Sequence, residues 1–145
     1  MTSTHKESRI VVGVDGSPSS VAALGWAAQQ AELTGATLEV LGSWEWPITY
    51  GAPIALPVDY DPAADTRREL DDAIASVRAA HPNVDFRTTV VEGHPAPSLV
   101  EASKGADLLV VGSRGHGAFA GMLLGSVSEH CVANAFCPVL VMRED

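Results

Sequence analysis

The strongest constraint on the fold is a recurring pattern: short apolar runs rich in Val, Leu and Ile, separated by segments with helical spacing. RIVVGVD (9–15) and ADLLVVGS (106–113) stay apolar through their middles, as strands buried on both faces must. TLEVLGS (37–43), the alternating VDFRTTVVEG (84–93) and the closing PVLVMRE (138–144) predict three more strands. Between them, SPSS at 17–20 offers caps and a first-turn proline for a helix carrying Val21, Leu24, Ala28 and Ala31 and ending near Gly35. Asp61-Pro62 opens a second helix to about Ala80, with Leu70, Ile74 and Val77 on one face. Pro95 to Lys104 reads as a third, and about Gly121 to Phe136 as a fourth, with Leu124, Val127, Cys131 and Ala135 on one side.

Strands alternating with helices predict one α/β domain over residues 1–145. Its sheet is expected to be five-stranded, parallel and doubly wound with helices on both faces, in strand order 3-2-1-4-5 if the chain winds outward from strand one through two and three and then returns to set strand four against strand one. In such a sheet ligands bind beyond the carboxyl ends of the strands where the winding reverses, which here lies between strands one and four. That places Asp15 opposite the segment GSRGHGAFAGMLLGS (112–126), which holds five glycines in fifteen positions.

The net charge of −9 argues against a sequence-independent nucleic-acid grip and against anionic membrane surfaces. No signal-like or membrane-spanning run is visible, so a cytoplasmic location is expected. Cys131 and Cys137 lack ligand spacing and read as free thiols; His5, His81, His94 and His130 show no metal-ligand pattern. Residues 44–61 are interrupted by Pro47, Pro53 and Pro57. They suit either a functional lid or a packed loop in which Trp44, Trp46 and Tyr50 cover a core edge.

The glycines of the 112–126 segment carry the chemistry. Gly112, Gly115 and Gly117 permit positive φ and close approach, so successive N–H groups can converge as an anion nest. The following helix adds its unpaired amides and positive dipole end, and Ser126 adds a hydroxyl. Gly125, inside the apolar stretch, marks a close approach of backbone or ligand. Arg114 and His116 are the residues there suited to offset phosphate charge. Neither Lys6 nor Lys104 follows a glycine, so no Walker A loop exists, and no GxGxxG follows the first strand. Asp15 could alternatively cap the first helix.

Gly112-x2-Gly115-x9-Gly125-Ser126, preceded by LLVVGS, resembles the ATP-binding signature of the universal stress protein family. IVVGVDGS (10–17), the EGHP turn and CPVLVM extend the resemblance over essentially the whole chain, closest to actinobacterial-type members. The resemblance implies ATP, with Mg²⁺, held between the ends of strands one and four. Asp15 would meet adenine or ribose; Gly13 and Val14 would line the pocket through their backbone; Ser43 would touch adenine through its main chain. Gly112, Ser113, Arg114, Gly115, His116 and Gly117 would wrap ribose and phosphates, while Gly125, Ser126 and Val127 would meet the distal phosphates. The family also implies a homodimer through the last strand. Gly42 departs from the pattern, standing where many members carry a histidine at the floor of the adenine pocket.

No GxSxG elbow, Cys/His pair or carboxylate couple advertises turnover, since Val111 lies two residues before Ser113. Three functional readings remain: an ATP-binding stress-response module whose occupancy alters partner or dimer contacts, a slow ATPase in which Asp15 holds Mg²⁺ or orients water, and a nucleotide-independent interaction protein.

Overall fold

The computed structural model describes residues 7–46, 56–114 and 124–143. Its elements are β1 (Arg9–Gly13), α1 (Pro18–Thr34), β2 (Thr37–Trp44), α2 (Pro62–Arg78), β3 (Phe86–Glu92), α3 (Pro95–Ala102), β4 (Leu108–Gly112), α4 (Ser126–Asn134) and β5 (Val139–Met142). The sheet order is β3-β2-β1-β4-β5 with every pairing parallel, the expected doubly wound arrangement.

Alternation along the central strands divides the core in two. Ile10 and Val12 of β1, Leu38 and Val40 of β2 and Val110 of β4 face one way, against Ala23, Leu24, Ala27, Ala28 and Ala31 of α1 and Leu70 and Ile74 of α2. Val11, Leu41, Leu109 and Val111 face the other way, against Leu99 of α3 and Cys131 of α4. The small alanine face lets α1 lie close over the sheet, while each fully buried leucine contributes about 1.5–3 kcal/mol of apolar burial.

At the amino end of the second face the strands carry polar residues instead. The Arg9 guanidinium lies 2.6 Å from Glu39 and donates to the carbonyls of Ala102 and Lys104, and the Thr89 hydroxyl donates to the other Glu39 oxygen. Every group in this cluster has a partner, so Glu39 sits mid-strand without an unsatisfied charge.

α3 ends at Ala102, two residues before the expected Lys104, and both boundaries of α4 differ from the sequence reading. α4 begins at Ser126, not near Gly121, and Gly125 is its extended N-cap with φ −73° and ψ 168°. Gly125 is therefore not a glycine tolerated within a helix: the apolar character of the preceding run was read as helical periodicity, whereas the cap fixes the start. At the other end Ala135 is extended, so the helix stops before Phe136. Of the 44–61 segment, Trp44 closes β2, Trp44 and Trp46 meet edge to face at 5.0 Å, and Trp46 lies 5.9 Å from Tyr60. Tyr50, and with it the choice between lid and packed loop, lies outside the described residues.

Candidate functional site

The carboxyl ends of β1, β2 and β4 and the amino ends of α1, α3 and α4 surround a cleft of about 440 Å³ including its open mouth. Its floor is apolar: Val14 and Leu41 from the strand ends, Leu99 from α3, Val111 from β4 and Val127 from α4. Asp15, Ser17, Ser20, Ser43, Arg114 and Ser128 supply polar atoms at its walls. An apolar floor with a polar wall suits a ligand that joins a flat ring to hydrophilic groups.

The first wall is the turn from β1 into α1. The Val14 N–H donates to the Leu41 carbonyl at 2.9 Å, extending the β1–β2 ladder one residue, and Val14 lines the cleft while also packing with Ile10 and Val12 in the α1-facing core. Gly16 follows with φ 84°, a conformation that strains any side chain, and turns the chain into α1. The Asp15 carboxylate accepts from the Ser17 N–H at 2.8 Å, and the Asp15 N–H donates to the Ser20 hydroxyl at 3.2 Å. The α1 cap itself is Ser17, whose hydroxyl accepts from the Ser20 N–H. The alternative reading of Asp15 as the helix cap is thus corrected: Asp15 shapes the turn before it.

The facing wall is the exit of β4. A Cβ at Gly112 would lie 2.5 Å from the Ser19 hydroxyl oxygen and 2.8 Å from both the Ser19 carbonyl carbon and the Ser20 nitrogen. Gly112 is required by this close approach to α1 and not by positive φ, which among the described residues belongs to Gly16, Gly35, Gly93 and Gly105. Ser113 is buried and its main chain is paired on both sides: its N–H donates to the Met142 carbonyl at 2.7 Å, and its carbonyl accepts from the Gly125 N–H at 2.6 Å and the Ser128 hydroxyl at 3.1 Å.

The third wall is the start of α4, whose N-cap is Gly125 and which has no side-chain cap among the described residues. The first N–H groups of a helix have no intrahelical partner and carry the positive end of its dipole. Val127 and Ser128 of this turn line the cleft, as do Asp15 and Arg114. This combination can receive an anion.

Of the expected site residues, the structure brings together Gly13, Val14, Asp15, Ser43, Gly112, Arg114 and Val127 around the cleft. Ser113, Gly125 and Ser126 adjoin it without lining it; Gly115, His116 and Gly117 lie outside the described residues. Gly42 is corrected. A Cβ there would meet Leu70 and Thr66 of α2 at 3.0 Å, so position 42 faces the α2 core and does not floor the pocket. Strand alternation accounts for it, since Leu41 and Ser43 are the residues that line the cleft. Sequence reasoning missed Ser17, Ser20, Leu41, Pro95, Leu99, Val111 and Ser128. The same alternation could have found Leu41 and Val111; the α3 and α4 residues required knowing which helix ends meet.

The Cys131 thiol, buried in the α3–α4 face, is pushed up to about 11 by burial and stays protonated near neutrality. Among the described residues no group of three His, Cys, Asp or Glu could hold a metal, and no helix is long and apolar enough to cross a membrane.

The profile of the Universal stress protein family matches residues 7–143. Universal stress protein Rv2623 of Mycobacterium tuberculosis is 37% identical over 147 residues, covering 96% of this chain and 46% of that protein, so the chain spans about half the length of the curated relatives it matches. A universal stress protein solved in complex with cAMP is 31% identical, with a TM-score of 0.68, and the likeness covers 97% of this chain and 100% of that one. A family member from Burkholderia pseudomallei is 29% identical with a TM-score of 0.65, over 94% and 96% of the two chains. Profile, relatives and strand order agree, and this chain belongs to the universal stress protein family.

Proposed function

We propose that this chain is an ATP-binding regulatory module of the stress response, acting in the cytoplasm, in which nucleotide occupancy changes dimer or partner contacts. The observation that carries the reading is the uncapped start of α4 opening on an apolar-floored cleft beside Arg114. The 31% identical family member in complex with cAMP supports an adenine nucleotide as the ligand class.

In this reading Gly13, Val14 and Ser43 receive the base and Asp15 the base or ribose. Gly112, Ser113, Arg114, Gly115, His116 and Gly117 surround the ribose and phosphates, with Gly125, Ser126 and Val127 at the distal phosphates. Mg²⁺ fits as an ion held chiefly by phosphates and water, since Asp15 is the carboxylate among the described residues lining the cleft. ATP then acts as an effector, with hydrolysis at most slow.

The homodimer is proposed through β5, an edge strand of half-buried residues with β4 on its inner side. Sedimentation is expected to show a dimer at micromolar concentration; a monomer there removes it.

Calorimetric titration of Mg-ATP into protein stripped of carried-over nucleotide tests the central claim. Saturable binding near one site per chain is expected. Flat heats together with an unchanged melting temperature would replace this reading by a nucleotide-independent interaction protein.

A further inference from the structure

Ser19 does not line the cleft, is 1% exposed and sits in the first turn of α1, yet its hydroxyl reaches the main chain of a residue 95 positions away. It donates to the Arg114 carbonyl and accepts from the Arg114 N–H at 3.3 Å. Ser17 reinforces it, its hydroxyl lying 3.3 Å from the same carbonyl. The close approach that excludes a side chain at Gly112 brings these serines within reach.

We infer that Ser19 is a positioning residue for phosphate recognition: it fixes the Arg114 backbone, and with it the origin of the Arg114 side chain, without touching ligand. The inference rests on the nucleotide reading proposed above and adds to it a residue outside the ATP signature. Its physical basis is that a hydroxyl donating to the carbonyl and accepting from the N–H of one residue ties down both peptide groups that flank its Cα, and so defines position and orientation. Neutral hydrogen bonds made before a ligand arrives lower the ordering that binding would otherwise require. The base end of the cleft, with Gly13, Leu41 and Leu99, has no hydrogen bond to Ser19 among the described residues. Phosphate-bearing ligands should therefore feel the loss of this hydroxyl and adenosine should not.

The test titrates Mg-ATP and adenosine into the unaltered chain, Ser19→Ala, Ser19→Thr and Ser103→Ala, with melting curves for each. Ser103 is the control: it is equally buried, with its hydroxyl donating to Val100 and accepting from the Phe136 N–H, on the far side of α3. Ser19→Ala is expected to weaken ATP about threefold, no more than loss of the Arg114 side chain itself, and to leave adenosine unchanged within measurement error. Ser19→Thr, which keeps the hydroxyl, restores the ATP-to-adenosine ratio, and Ser103→Ala lowers the melting temperature without changing that ratio. If Ser19→Ala does not fold, Ser19→Cys fills the same space with a weaker hydrogen-bonding group and is expected to shift the ratio in the same direction. Equal losses for both ligands, or no loss for either, in a chain whose unaltered form binds ATP overturn the role of Ser19 alone. Absence of ATP binding by the unaltered chain overturns the nucleotide reading, and this inference with it.

Discussion

The amino termini of α1 and α4 open on the same cleft but are finished differently. α1 has Ser17 as its cap, with the hydroxyl accepting from the Ser20 N–H, and Pro18 in its first turn, where a missing donor does no harm. α4 has Gly125 at the equivalent position and no side-chain cap. In the function proposed above, the end capped by its own serine serves as a wall and the other receives the anion. Two chemically similar termini are thereby assigned different tasks by a single side chain, serine or hydrogen.

The contrast can be broken or sharpened by substitution, and the largest effect is expected where the two walls press together. Gly112→Val drives a branched side chain into the backbone of Ser19 and Ser20 and should cost roughly 2–3 kcal/mol in urea unfolding; a loss under about 0.5 kcal/mol would mean that β4 and α1 are not in close contact. Gly125→Asp gives α4 the cap it lacks and places a carboxylate where an anion is proposed to sit. Mg-ATP affinity should fall at least about tenfold in calorimetry, and unaltered affinity would remove the α4 terminus from the site. Ser17→Ala should destabilise the chain by about 1 kcal/mol through the lost α1 cap, read as a shift in the denaturation midpoint at constant slope. Arg114→Ala has the smallest expected effect because its side chain is exposed: ATP should weaken several-fold more than adenosine, and parallel losses would deny Arg114 a phosphate role.

Much of this architecture was legible in the sequence because it rests on local rules. The unbroken apolar middles of 9–15 and 106–113 announced strands buried on both faces, and Ser17-Pro18 with Gly35 bracketed α1. Local rules also allowed errors. Apolar spacing carries α4 back about four residues beyond its cap, and the family position at Gly42 passes over the alternation that turns it toward Leu70. What no local rule could give is the meeting of Ser19 with Arg114 or of Ser128 with Ser113. Those contacts exist because parallel winding brings α1, β4 and α4 to one end of the sheet, and the hydroxyls involved look like ordinary small polar residues until then.

The hydrogen bond from the Gly125 N–H to the Ser113 carbonyl joins the start of α4 to the exit of β4 through main-chain groups alone. Every residue carries that carbonyl and every residue except proline that N–H, so substitutions at positions 113 and 125 other than to proline at 125 leave both partners in place. The seating of this helix on the end of its strand is thus held by the chain itself and not by the identity of its side chains.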